Sequence, residues 1–223
     1  MKDAIATLHP AYFALVMATG IVSIACALLD LPIVADVLVW LNVVFYAALW
    51  LLTAIRFVWF RDRVIADLQH HGRAVGFFTT VAATCVLGSQ LLVVARTPSL
   101  ATAVWIVGIG LWATITYTVF TILTVKSHKP PLAEGINGSW LVSVVAAQSV
   151  AVLGAQLARN FGGYAPHVLL FCLAMWLGGG MLYIWIISLI FYRYTFVEMH
   201  PSDLAHDRRV RRRDDEQRPG QRG

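Results

Sequence analysis

The sequence predicts an all-α integral membrane protein with six transmembrane helices. Hydrophobic residues make up 59% of the 223-residue chain and charged residues 13%, whereas soluble proteins contain about 25% charged residues. Six apolar segments are each long enough to cross a hydrocarbon core of roughly 30 Å, which takes about 20 helical residues. These segments do not alternate polar with apolar residues and are longer than barrel strands, so the pattern favours helices.

The six predicted helices form three hairpins. They cover residues 11–29, 35–57, 76–95, 101–125, 139–158 and 165–192. Proline or glycine marks the turn within each hairpin, at Leu31-Pro32, Thr97-Pro98 and Gly162-Gly163. The sequence therefore predicts one transmembrane domain over residues 1–200, followed by a basic, disordered tail over residues 201–223.

Basic residues are unequally divided between the two sides of the predicted bundle. Lysine and arginine favour cytoplasmic loops. They follow the second, fourth and sixth helices, whereas the opposite loops hold only Arg96 and Arg159. This pattern predicts a multi-pass protein of the cell (plasma) membrane with both termini cytoplasmic. Five arginines within residues 208–213 account for much of the net charge of +5, so the charge does not indicate a nucleic-acid partner.

The odd-numbered helices carry small residues at four-residue spacing, and the even-numbered helices are rich in aromatic residues. Residues four apart share one face of a helix, and small faces leave room either for a conduit or for close packing. The candidates for lining a conduit are hydroxyl and amide side chains, namely Thr19, Ser23, Thr80, Thr84, Gln90, Ser139, Ser143 and Gln148. The alternative is that the small faces only pack helices together and that the amides form interhelical hydrogen bonds.

Basic residues near the predicted cytoplasmic helix ends would raise the local concentration of anions. These residues are Arg56, Arg73, Lys126 and Lys129. Their simpler role is to fix the topology. The predicted helices hold no central carboxylate or lysine, the histidines lie at helix ends or in loops, and the three cysteines lack paired spacing. We therefore expect no enzymatic activity, no cofactor and no metal site.

Three stretches carry a family resemblance: HPAYFALVMATGIVSIA (residues 9–25), GRAVGFFTTVAATCVLGSQ (72–90) and NGSWLVSVVAAQSVAVLGAQ (137–156). They resemble the tellurite-resistance/dicarboxylate transporter family, which includes malic acid transport proteins and slow anion channels. The resemblance implies a ten-helix fold of five hairpins, in which odd helices line a central pore and even helices surround it. The six helices here resemble the first six. Family members often form trimers with one pore per subunit, which implies a homotrimer in the lipid bilayer.

The resemblance also implies a function, the transport of anions through the central pore. The implied substrates are four-carbon dicarboxylates such as malate, or small anions such as sulfite, chloride or tellurite. After Leu204 the chain departs from the family pattern, and its Arg, Asp, Gly and Pro content is typical of a shifted, GC-rich reading frame. The alternative is a genuine short protein whose basic tail contacts anionic lipid. We therefore expect a chain with three of the five inner helices. The alternative function is that of a non-transporting fragment or an assembly subunit.

Overall fold

The computed structural model describes residues 6–196, except for the side chains of residues 133 and 134, and the basic segment 201–223 lies outside the described residues. Between residues 6 and 196 the regular structure is entirely helical, with no strand. We label the long helices α1 (Ala14–Leu28), α2 (Pro32–Trp59), α3 (Phe78–Val93), α4 (Pro98–Val125), α5 (Leu141–Leu157) and α6 (Ala165–Phe196). A surface helix, Arg61–Gln69, follows α2.

Five continuous helical stretches within residues 6–196 are long and apolar enough to cross a membrane. They are Pro10–Leu28, Pro32–Trp59, His71–Val93, Pro98–Val125 and Gly138–Phe196. The last stretch is 59 residues long and contains both α5 and α6. The backbone turns between these two helices at Gly162, where φ is 51° and ψ is −122°. The described chain is therefore that of a multi-pass membrane protein.

The helix boundaries follow local sequence signals. Pro32 and Pro98 each occupy the first turn of a helix, where the missing N–H of proline has no cost. The second helix thus begins at Pro32, before the predicted Ala35. The turns after α1, α3 and α5 each contain a residue of positive φ, at Asp30, Arg96 and Gly162. A left-handed residue is a common way to end a helix and reverse the chain.

Helix α3 lies at the centre of the bundle. It packs against α1, α4 and α5, while α2 packs on α1 and α6 packs on α5. In the stretch that contains α3, 89% of the most apolar 18-residue segment is buried, whereas the corresponding share is 17–22% in the other four stretches. The main core joins Phe78 and Val81 of α3 to Val150 and Leu153 of α5 and to Trp105 of α4. We call α1, α3 and α5 the inner helices.

Small residues bring the helices into close contact at specific points. A Cβ atom placed on Gly154 of α5 would lie 2.5 Å from Cys172 Sγ and 2.6 Å from Trp105 Cζ2. The same Trp105 donates a hydrogen bond from Nε1 to the Val150 carbonyl at 2.9 Å. A Cβ on Gly88 of α3 would lie 2.4 Å from Leu153. At these positions the small residues of the inner helices serve close packing.

Candidate functional site

An open cavity of about 950 Å³ lies at one end of the bundle, and we call it the basic vestibule. Four residues with permanent positive charge line it, namely Arg73, Lys126, Lys129 and Arg193. Four histidines line it as well, namely His9, His70, His71 and His128. No carboxylate is among its lining residues in the described part of the chain. The vestibule is therefore a concentrated positive region that opens to water.

The N-terminal ends of all three inner-helix stretches meet at this vestibule. Each end carries a side chain that caps the backbone N–H two residues later. His9 Nδ1 accepts from Ala11 N at 3.1 Å, His70 Nδ1 from Gly72 N at 3.2 Å, and Asn137 Oδ1 from Ser139 N at 3.0 Å. Because helix N-termini carry partial positive charge, their convergence adds to the field of the basic side chains.

Short helical turns precede each inner helix and place these caps. A 3₁₀ turn at Pro10–Phe13 leads into α1, and another at Gly138–Trp140 leads into α5. The helix His71–Ala74 and the 3₁₀ turn Val75–Phe77 lead into α3. The third stretch is therefore helical from His71, before the predicted start at residue 76. The apolar pattern does not predict this first turn because it begins with the polar residues His71, Gly72 and Arg73.

Hydrogen bonds hold several of the basic side chains in place. Arg73 Nε donates to Asp67 Oδ1 at 2.5 Å. Lys126 Nζ donates to the Gln69 carbonyl at 2.9 Å, and Arg193 Nη1 donates to the Ile136 carbonyl at 2.5 Å. These contacts tie α4, α6 and the loops between helices to the rim of the vestibule.

Arg56, which was predicted to lie at the same mouth, is not among the residues that line the vestibule. It is buried near the end of α2, with 4% of its surface exposed. Its Nη2 donates to Asp67 Oδ2 at 2.5 Å, and its Nε donates to the Ala6 carbonyl at 3.3 Å. Its charge is thus paired inside the protein, while Arg73, Lys126 and Lys129 line the vestibule.

Most of the candidate pore hydroxyls donate hydrogen bonds to backbone carbonyls. Ser23 donates to Ala35 O at 2.8 Å, Thr80 to Phe77 O at 2.8 Å, and Ser143 to Trp140 O at 2.7 Å. All three donors are buried. Thr84 is also buried and bonds to Thr80 O at 2.7 Å, and its hydroxyl lies 2.9 Å from the Tyr46 hydroxyl of α2. Of the remaining two, Thr19 is half-buried on α1 and Ser139 lines the vestibule.

The two candidate amides occupy different surroundings. Gln90 of α3 is fully buried, and its Oε1 accepts a hydrogen bond from Asn42 Nδ2 of α2 at 2.8 Å. The Nε2 of Gln90 and the Oδ1 of Asn42 have no hydrogen-bond partner among the described residues. Gln148 of α5 is half-buried and donates to the Trp176 carbonyl of α6 at 3.1 Å. Both amides thus bridge helices, as expected for polar groups within a membrane.

A second cavity, of about 340 Å³, runs between the three inner helices, and we call it the apolar groove. Its lining includes Ile21 and Ile24 of α1, Val86 and Ser89 of α3, and several residues of α5. The α5 residues include Val145, Gln148, Ser149, Val152 and Gln156. Ten residues separate Ala11, at the vestibule, from Ile21, at the groove, which is about 15 Å along a helix.

The vestibule also contains four histidines, Asn137 and Arg193, which are not among the site residues predicted from the sequence. A signal was present, since His9-Pro10-Ala11, His70-His71-Gly72 and Asn137-Gly138-Ser139 each place a capping side chain before an inner helix. Among the side chains that the structure describes, no group of three or more His, Cys, Asp or Glu could hold a metal ion.

Comparison with known proteins gives one family match. The model of the family described as "Voltage-dependent anion channel" matches residues 7–207 of the chain. That range includes both the vestibule and the groove. No solved structure matches the chain.

Two proteins from Methanocaldococcus jannaschii are also similar. Uncharacterized transporter MJ0576 is 26% identical over 211 residues, which are 91% of this chain and 60% of the relative. Uncharacterized transporter MJ0762 is 23% identical over 212 residues, which are 92% of this chain and 61% of the relative. The chain therefore spans about three fifths of the length of the curated relatives it matches.

Proposed function

Because the chain belongs to the voltage-dependent anion channel family, we propose that it serves the passage of anions across a membrane. The basic vestibule is the observation that carries this proposal. Four permanent positive charges and three converging helix N-termini surround an open mouth, and none of its described lining residues is a carboxylate. Such a field raises the local concentration of anions and excludes cations.

The path beyond the vestibule follows the apolar groove. Ser89, Gln148, Ser149 and Gln156 supply the polar atoms along a wall of valine and isoleucine. A mainly apolar wall with few hydrogen-bond donors binds an anion weakly, which conduction requires. The substrates that fit this proposal are four-carbon dicarboxylates and small anions such as chloride, sulfite or tellurite. Further helices, packed over the open side of the groove as in a ten-helix pore, would enclose the path.

The residues predicted to line the pore have different roles in this proposal. Ser139 contacts the anion in the vestibule, together with Arg73, Lys126 and Lys129. Gln148 contacts it in the groove. A role in the path stays a prediction for the other six candidates, Thr19, Ser23, Thr80, Thr84, Gln90 and Ser143. The hydroxyls of Ser23, Thr80, Thr84 and Ser143 donate to backbone carbonyls, which favours a packing role for these four residues.

A second candidate function is that of a non-transporting fragment or assembly subunit. The observation in its favour is that the groove is open along one side, while the relatives are longer than this chain. An inner wall made of three helices would then need a partner to complete it. The two candidates differ in one measurable property, the anion flux of this chain on its own.

Reconstitution into liposomes tests the proposal. The full chain and a Lys129→Glu variant would be compared for uptake of chloride and malate. The matched control is Arg63→Glu, because Arg63 is also an exposed basic residue but lies on the surface helix and does not line the vestibule. We expect Lys129→Glu to reduce uptake several-fold more than Arg63→Glu, with the difference shrinking at high salt. Uptake no faster than in empty liposomes would favour the assembly subunit.

A further inference from the structure

Two of the three caps at the vestibule are made by the ring nitrogens of histidines. His9 Nδ1 accepts from Ala11 N at 3.1 Å, and His70 Nδ1 accepts from Gly72 N at 3.2 Å. An imidazole nitrogen accepts a hydrogen bond only while it carries no proton. Both caps therefore exist only with neutral histidine, whose remaining proton lies on Nε2.

The third cap has the same geometry but different chemistry. Asn137 Oδ1 accepts from Ser139 N at 3.0 Å, again two residues along the chain. An asparagine amide does not change its protonation between pH 5 and 8, whereas histidine does. The Asn137 cap can therefore be compared with the two histidine caps as a cap of the same geometry that does not respond to pH.

The histidine caps are packed into the contact between inner helices. A Cβ atom on Gly76 would lie 3.2 Å from Ala11 N and 3.4 Å from His9 Cε1, so the first cap lies directly against the start of the third stretch. A Cβ on Gly72 would lie 3.5 Å from His70 Cε1 and 3.9 Å from Asn137 Nδ2. Loss of a histidine cap would therefore loosen the contacts where the three stretches meet.

The charged groups around the two caps are mostly cationic. Arg73, Lys126, Lys129 and Arg193 share the vestibule with both histidines, as do His71 and His128. Arg56 shares a smaller cavity with His9. Asp67, three residues before His70, binds Arg56 and Arg73. Protonation of the capping histidines would thus place new charge in a positive cavity, which an anion in that cavity would stabilise.

Building on the proposed role of the vestibule in anion passage, we propose that His9 and His70 make it sensitive to protons. With both rings neutral, they cap their helices and the vestibule carries four permanent charges. With both rings protonated, the caps are released and the rings add positive charge that attracts anions. Proton binding and anion binding then strengthen each other, as linkage requires.

Amide hydrogen exchange tests the caps without any need for transport. The full chain in detergent would be followed between pH 8 and pH 5, with each rate divided by the intrinsic rate at that pH. We expect protection at Ala11 and Gly72 to fall about fivefold on acidification, the effect of losing a typical cap. Protection at Ser139, capped by Asn137, is the internal control and should stay constant.

Two sets of variants separate titration from structure. His9→Asn with His70→Asn keeps an acceptor at each cap, as at Asn137, and should remove the pH dependence at Ala11 and Gly72. His9→Ala with His70→Ala should leave both amides weakly protected at every pH. The inference is overturned if wild-type protection does not change with pH, or if it changes equally in the asparagine variant.

Uptake by liposomes then relates the caps to function. We expect the KM for malate to fall several-fold from pH 8 to pH 6 in the wild type and to change less in the asparagine variant. An unchanged wild-type KM with pH-dependent caps would overturn the link to anion binding. Complete absence of flux in every variant would instead count against the proposed function, because the exchange results stand independently of it.

Discussion

Asp67 of the surface helix binds Arg56, which lies near the end of α2, with Oδ2 and Nη2 2.5 Å apart. The side chains of Arg56 and Asp67 are only 5% and 9% exposed. Asp67 also binds Arg73 at the vestibule, at 2.5 Å. One carboxylate therefore joins three segments of the chain and fixes the position of a vestibule charge. Its partners are two arginines, so the cluster keeps a net positive charge.

Asp67→Asn should strongly destabilise the protein. The substitution leaves the buried Arg56 without its counter-charge, and breaking a buried ion pair from one side costs about 3–5 kcal/mol. Thermal unfolding in detergent measures the loss. The matched control is Asp62→Asn on the same surface helix, where the side chain is exposed and the expected change is below about 0.5 kcal/mol. Equal stability of the two variants would show that the Asp67 cluster contributes little.

The apolar pattern was sufficient to predict the helical architecture. Long apolar runs have one stable solution in lipid, because a helix satisfies every backbone group within itself. The ends were harder to predict where polar residues continue a helix. The third stretch begins at His71 because His70 caps it and the following residues stay helical, although only residues from 76 onward are predominantly apolar.

The candidate site was only partly predictable, for a different reason. A serine or threonine hydroxyl on a small face can point into a conduit or bond to a carbonyl in the preceding turn. The sequence is the same in both cases, and Thr80 and Ser143 adopt the second arrangement. Likewise, Arg56 and Arg73 are both arginines near predicted cytoplasmic helix ends, and the sequence does not show which of them is buried. Their different burial depends on the fold of the surface helix that carries Asp67.

Gly154→Ala should destabilise the packing of α5. The new methyl group would meet Cys172 Sγ at 2.5 Å and the Trp105 ring at 2.6 Å. Overpacking of this kind typically costs about 1–3 kcal/mol. The control is Gly178→Ala on α6, where no heavy atom lies within 4 Å of the added group, so its higher helix propensity should be neutral or stabilising. Both values come from thermal unfolding in detergent, and an unaffected Gly154→Ala would contradict the close contact.

Labelling from each side of the membrane tests the predicted orientation. Gly138→Cys and Gly163→Cys are suitable because no heavy atom lies within 4 Å of a side chain at either position. The excess of basic residues predicts position 138 on the cytoplasmic side and position 163 outside. In intact cells, a membrane-impermeant thiol reagent should therefore label only Gly163→Cys. Labelling of only Gly138→Cys would invert the topology and place the basic vestibule on the outer surface.

The apolar groove should be accessible to water if it forms part of a conduit. Val152 lies in the groove and is 51% exposed, while Leu173 of α6 lies outside it and is 50% exposed. The two positions are also close in depth, since Cys172 contacts Gly154. We would introduce Val152→Cys or Leu173→Cys after replacing Cys26, Cys85 and Cys172 by alanine.

A charged thiol reagent reacts with the thiolate, which forms readily in water and hardly at all in lipid. In membranes, Val152→Cys should therefore react at least about tenfold faster, and malate in excess should slow its reaction. Equal, slow reaction at both positions would mean that the groove is filled by lipid or by another helix, and the path for anions would have to be sought elsewhere.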